Sequence, residues 1–176
     1  ITVAGALDTP VSCSDAAGLT AAQGLEPIAT NSLGNITYTK TSGTFAAGTC
    51  GATGTYTNTW IAKDACLNES TIFTQVITIT DASQPTWTTV AGALDAPVSY
   101  DDAAGLTAAQ AMAPVATDNC GSVTYTKTSG SFVAGICGAT GTYNNTWVAK
   151  DACMNTSTTY TQVITIIDTQ APTWTT

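Results

Sequence analysis

Apolar and polar residues alternate along several stretches of the chain. Tyr143, Trp147 and Ala149 fall on one face, and Phe73, Ile77 and Ile79 do the same earlier on. Ile36 and Tyr38 oppose Thr37, Thr39 and Thr41. A period of two predicts half-buried strands, because successive side chains leave a strand on opposite sides. Thr142–Lys150 and Tyr160–Ile167, joined by DACMNTS, predict a closing hairpin. Gly, Asn, Asp and Pro bound further strands predicted at Thr86–Leu94, Pro97–Tyr100, near Pro114–Thr117 and at Ser122–Thr128. A short strand is placed at Phe132, in a Gly-rich connection. DAAGLTAAQ, Ala-rich and preceded by Asp, is the helix candidate.

The pattern occurs twice. Val3–Thr89 recurs as Val90–Thr176, an offset of 87 residues, with VAGALD, TYTKTSG, CGATGTY, TQVITI and PTWTT repeated. Such a repeat marks a tandem array. About seven strands per copy predict an all-β chain of two tandem immunoglobulin-like Greek-key β-sandwich modules, each with one short helix. The expected boundaries are 1–81 for the first module, 82–85 for a linker and 86–168 for the second module. Residues 169–176 read as a linker and the start of a following module, since Pro172–Thr176 restates Pro85–Thr89. Both linkers are short and contain Pro, which predicts semi-rigid coupling of neighbours.

Composition narrows the function. The net charge is −8, with four Lys, no Arg and no His. Nucleic acid and anionic membrane surfaces need clustered cations, so both are poor partners. No apolar run reaches the roughly 18 residues of a membrane helix. Without His or Arg the usual base and oxyanion partners are missing, so no catalytic residue and no enzyme is expected. Asp15 and the pair Asp101–Asp102 precede the helix candidate, where capping explains them.

Six Cys in small, weakly charged modules point to an oxidising compartment and to disulfides rather than zinc, as no CxxC pair occurs. Four module positions carry Cys in one copy or the other: Cys13 against Tyr100, Leu33 against Cys120, Cys50 against Cys137, and Cys66 against Cys153. The last two positions flank a long strand, about 30 Å apart, so Cys50–Cys66 and Cys137–Cys153 are excluded. Strand direction pairs Cys13 with Cys50 and Cys120 with Cys153. Cys66 and Cys137 are then left over, either as free thiols or as bridges to neighbouring modules.

Three carboxylates, Asp81, Asp118 and Asp151, are expected near a module junction. They read either as a calcium site or as turn caps. Trp60 and Trp147 read as core and Trp87 and Trp174 as junction packing, with stacking on a sugar as the other reading of either pair. Thr-x-Thr rows such as Thr37–Thr41 read as solvated sheet faces. Asn35, Asn68, Asn144 and Asn155 begin N-x-S/T sequons. Lys40, Lys63, Lys127 and Lys150 read as solvated surface, with isopeptide crosslinking as the other reading.

The phrases DNCGSVTYTKTSGSF, TWVAKDACMNTS and TQVITIIDTQAP resemble the HYR-like, immunoglobulin-type repeats of large Bacteroidota cell-surface adhesins, gliding adhesins among them. The resemblance covers both copies. It implies extracellular, cell-surface, tandemly repeated β-sandwiches that act as adhesive stalks, and it supplies no catalytic residues. The expected role is a disulfide-stapled, semi-rigid segment of a surface adhesin or filament. Its expected partners are adjacent modules, other copies in a filament, and surface glycans. Two other readings stay open: a carbohydrate-binding array of a secreted protein and a self-assembling filament subunit.

Overall fold

The computed structural model describes residues 1–32 and 34–174 of the chain. Leu33, Thr175 and Thr176 lie outside the described residues, and with them part of the expected 169–176 segment. The chain is mostly β-sheet, in two sheet-rich halves that follow one another in sequence, each carrying one short helix. Two compact units form: Ile1–Ser83 with Asn119–Gly121, and Gln84–Asp118 with Ser122–Thr176.

The first unit contains β1 (Thr9–Ser12), α1 (Ala16–Gln23), β2 (Ile36–Thr41), β3 (Ala46–Ala47), β4 (Gly54–Asp64) and β5 (Phe73–Thr80). Its sheet runs in the order β1-β5-β4-β2, with β3 also on β4. β1 lies parallel to β5, while β4 is antiparallel to β2, β3 and β5.

The second unit contains β6 (Thr86–Trp87), β7 (Ala96–Ser99), α2 (Ala103–Ala111), β8 (Ala116–Thr117), β9 (Val123–Thr128), β10 (Val133–Ala134), β11 (Gly141–Asp151) and β12 (Tyr160–Ile167). It repeats the same sheet, with β7 parallel to β12 and β9, β10 and β12 antiparallel to β11. β6 and β8 form a separate antiparallel pair, Thr86 opposite Thr117 and Trp87 opposite Ala116.

The expected strand Thr86–Leu94 is cut short after Trp87. Gly92 takes a φ of 79°, and turns return Ala93 N–H to the Val90 carbonyl and Asp95 N–H to that of Gly92. This left-handed backbone suits glycine and ends the strand. The strand placed at Phe132 forms one residue later, at Val133–Ala134.

Each helix starts where the sequence provides a cap. The carboxylates of Asp15 and Asp102 accept from the N–H of Gly18 and Gly105, both at 2.8 Å. A Cβ on either glycine would stand 2.2 Å from the capping carboxylate, so only glycine lets the cap close. The helices bury one face on the sheet. Val11, Ala22, Ile77 and Ile79 form the first core, and Val98, Ala109, Ile164 and Ile166 the second. Ile77 and Ile164 are fully enclosed, each contributing about 1.5–3 kcal/mol by burial.

A polar layer sits inside each core. Asn145 and Gln162 are fully buried. Asn145 Nδ2 donates to Gln162 Oε1 at 2.9 Å and to Gln110 Oε1 at 3.2 Å. Its Oδ1 accepts from Gly130 N–H at 3.1 Å. Gln162 Nε2 donates to the carbonyls of Leu94 at 2.8 Å and Ala109 at 2.9 Å. Asn58 and Gln75 repeat the arrangement in the first unit. Saturated donors and acceptors let these amides stay buried.

Candidate functional site

The feature with functional content is the cystine end of the first unit. Cys13 leaves the end of β1, its N–H bonded to the Thr80 carbonyl at 2.9 Å. It is disulfide-bonded to Cys120, with Cα atoms 5.8 Å apart and a sequence separation of 107. That spacing lies within the range a disulfide accepts. Cys120 is buried. Asn119 Nδ2 donates to Ser14 Oγ at 2.9 Å and to Ser83 Oγ at 3.3 Å. Ala52 N–H donates to the Cys120 carbonyl at 3.2 Å. Gly121 rests against the Gly51 backbone, where an added Cβ would meet the Gly51 Cα at 3.8 Å. These contacts hold 119–121, which belong to the second sequence copy, inside the first compact unit.

The expected pairs Cys13–Cys50 and Cys120–Cys153 are therefore corrected. A sulfur forms one disulfide, and those of Cys13 and Cys120 are used by each other. Cys50 and Cys153 are disulfide-bonded as well. Cys66 and Cys137 are free and exposed. The sequence scheme kept every bond inside one copy, and nothing in the spacing signalled a bond from one copy to the other.

The Asp-Ala-Cys-x-Asn phrase builds the hairpin loops. In the second unit, Asp151 Oδ1 accepts from Asn155 N–H at 2.9 Å and Oδ2 from Asn155 Nδ2 at 2.8 Å. In the first, the Asp64 carboxylate accepts from the N–H groups of Cys66 and Asn68 and from Nδ2 of Asn68, each at 2.9 Å, and from Asn31 Nδ2 at 2.8 Å. The Asn68 side chain leads these bonds in holding the Asp64 carboxyl below its usual range. Leu67 and Met154 take left-handed backbone, with φ of 70° and 74°. In both copies the Asn two residues past the Cys serves the loop carboxylate.

Asp118 and Asp151, both of the second unit, bring carboxylate oxygens within 4.8 Å of each other. Asp81, of the first unit, has a carboxylate oxygen within 4.8 Å of the sulfurs of Cys13 and Cys120. Its Oδ1 also accepts from Ser83 N–H at 3.1 Å.

Trp60 and Trp147 are buried and cannot stack on a sugar. Lys40 and Lys127, read as solvated, lie over these two rings, their Nζ atoms 5.0 Å from the centroids. They also donate to the carbonyls of Gln23 and Gln110 at the helix ends. Cation–π attraction and the helix C-terminus hold them there. Lys63 pairs with Glu69 at 2.8 Å on the surface, a contact of little energetic weight. No helix among the described residues is long and apolar enough to cross a membrane.

No family model and no curated protein matches the chain. Among solved structures, it is similar to the first two extracellular repeats of human protocadherin-24, in crystal form II. The TM-score is 0.34 at 12% identity, covering 93% of this chain and 96% of that one.

Proposed function

We propose that the chain is a structural segment of an extracellular surface adhesin, a disulfide-stapled stalk with no catalytic role. The observation that carries the reading is the Cys13–Cys120 bond, which ties one copy of a sequence repeat covalently to the next. Disulfides form and persist in oxidising compartments, which supports an extracellular location. A bond across a repeat boundary serves a load-bearing or protease-exposed array better than it serves a catalyst. The resemblance to HYR-like repeats of Bacteroidota adhesins supports the same role at the cell surface. Adjacent modules of the array are the proposed partners.

Electron microscopy of purified chains carrying several repeats tests the proposal. Isolated thin threads of uniform width support a stalk. Ordered multi-chain fibres replace it with the filament reading. Specific binding on a glycan array by this two-copy chain replaces it with the carbohydrate-binding reading.

Calcium on these loop carboxylates, read from the sequence at Asp81, Asp118 and Asp151, belongs to the same proposal, since a hard cation takes carboxylate oxygens. A melting temperature raised by calcium and restored by chelator supports that part. A melt indifferent to both removes it.

A further inference from the structure

The second unit opens a cleft of about 270 Å³ beside the start of α2. Buried Ile166 and half-buried Leu106 line it from the core, and three aromatic side chains, Tyr100, Phe132 and Tyr143, line it as well. The rings of Phe132 and Tyr143 lie 5.3 Å apart, tilted by 48°. Gly141 makes room for Phe132, since a Cβ there would stand 2.5 Å from the ring. Tyr100 follows β7, its N–H bonded to the Ile167 carbonyl at 2.9 Å. Tyr100 and Phe132 are 45% and 40% exposed, so both meet solvent at the cleft.

The charge at this cleft has one sign. Asp102 lines it, Asp101 precedes Asp102 in sequence, and no Lys among the described residues lines it. Both carboxylates are engaged by the protein itself. Asp102 Oδ1 accepts from Gly105 N–H at 2.8 Å. Asp101 accepts from Ser99 Oγ and from Gln170 Nε2, and the Ser99 bond leads in holding its carboxyl below the usual range. The pair therefore offers negative charge more than directed acceptors.

The first unit has the same cleft, also of about 270 Å³. It keeps that volume while Cys13 is bonded to Cys120, so the opening belongs to the module and not to a chain end. Every lining position carries the same residue in the two units except one: Cys13 stands where the second unit has Tyr100.

From these observations we infer that the cleft of the second unit is an aromatic cage for a quaternary ammonium ion, and that Tyr100 completes it. Ring faces attract a cation through their quadrupoles, and a weakly hydrated cation gains most. A quaternary ammonium carries no N–H, which suits carboxylates already engaged, whereas a primary ammonium brings three donors that need acceptors. The net charge of −8 draws cations to the chain. An anionic group next to the cation would meet Asp101 and Asp102 with no Lys to offset them. The ligand is therefore a soluble, choline-like cation and not a phosphocholine headgroup. The inference does not rest on the stalk reading, and its failure would leave the microscopy test of that reading untouched.

Choline is titrated into the isotope-labelled chain at constant ionic strength. The expected result is saturable amide shifts at Tyr100, Phe132 and Tyr143 with half-saturation in the millimolar range, and weaker binding at Phe45 and Tyr56. The neutral isostere of choline, with carbon in place of nitrogen, should bind more weakly. Tyr100→Leu should weaken binding in the second unit by about two- to fivefold, the worth of one exposed cation–π contact, and bring it to the level of the first. Tyr100→Phe should keep it, because the ring and not the hydroxyl is used. Tyr100 is largely exposed, and the amide spectrum reports that each variant keeps its fold. No saturation in the millimolar range, equal binding of the neutral isostere, or an unchanged half-saturation in Tyr100→Leu overturns the cage. Phosphocholine that binds as tightly as choline overturns the choice of ligand.

Discussion

Asn145 and Gln162 face each other across β11 and β12, both fully buried, joined by a 2.9 Å amide–amide hydrogen bond. Through them the sheet holds the end of α2, the Leu94 turn and the Gly130 turn. Replacing Asn145 by Ala leaves the buried Gln162 amide oxygen without its donor, along with the partly buried Gly130 N–H and Gln110 amide oxygen. The expected cost is about 2–4 kcal/mol, read from chemical denaturation. The double variant with Gln162→Ala should lose less than the sum of the two single losses, by about 0.5–3 kcal/mol. Strictly additive losses would show that the two side chains do not act together.

Cys13→Ser should destabilise the chain by about 2–5 kcal/mol, because it reopens a loop of 107 residues in the unfolded state. Cys120→Ser should match it, and the double variant should cost no more than either alone. Non-reducing peptide mapping provides the direct check: a fragment joining Cys13 to Cys50 contradicts the structure.

The Asp64 carboxyl should titrate below the ordinary Asp range, chiefly because Asn68 donates to its charged form. A folded-state pKa below the unfolded one stabilises the loop at neutral pH. That contribution is present above the unfolded pKa and lost as pH falls through the folded value. Asn68→Ala should move the Asp64 titration upward in a carboxyl-carbon NMR experiment. An unchanged midpoint removes Asn68 as the cause.

Unfolded, unreduced protein should react with thiol reagent at Cys66 and Cys137 alone, since the other four are oxidised. Native protein should react to the same extent, because both thiols are exposed. A count near zero in monomeric material would mean the two are joined within one chain. Loss of thiol together with disulfide-linked dimers would mean they bridge neighbouring chains.

Much of the fold was legible because periodicity reports which face of a strand is buried. The hairpin strands, the capped helix and the buried Trp60 and Trp147 follow from alternation and from an Asp before an Ala-rich run. Asn145 and Gln162 escaped, because polar residues on a core face look like breaks in the pattern until their partners are known. The Cys13–Cys120 bond escaped for a different reason. A repeat shows what is alike between copies, whereas this bond depends on where they differ: Cys13 faces Tyr100 in the alignment and Cys120 faces Leu33. The place of Trp87 after the linker Pro suggested packing at a module junction, whereas the ring packs on Tyr125 and Tyr160 inside the second unit.

The bond between Cys13 and Cys120 also sets how the chain responds to being pulled. Tension entering at one end passes through the sulfurs and skips the residues between them. Those residues hold about 360 Å of extended chain that stays slack however hard the ends are drawn. Both helices and every strand from β2 to β8 lie within that sheltered stretch. A reductant that opens Cys13–Cys120 together with the disulfides of Cys50 and Cys153 therefore acts as a length switch, since it puts the hidden contour into the load path.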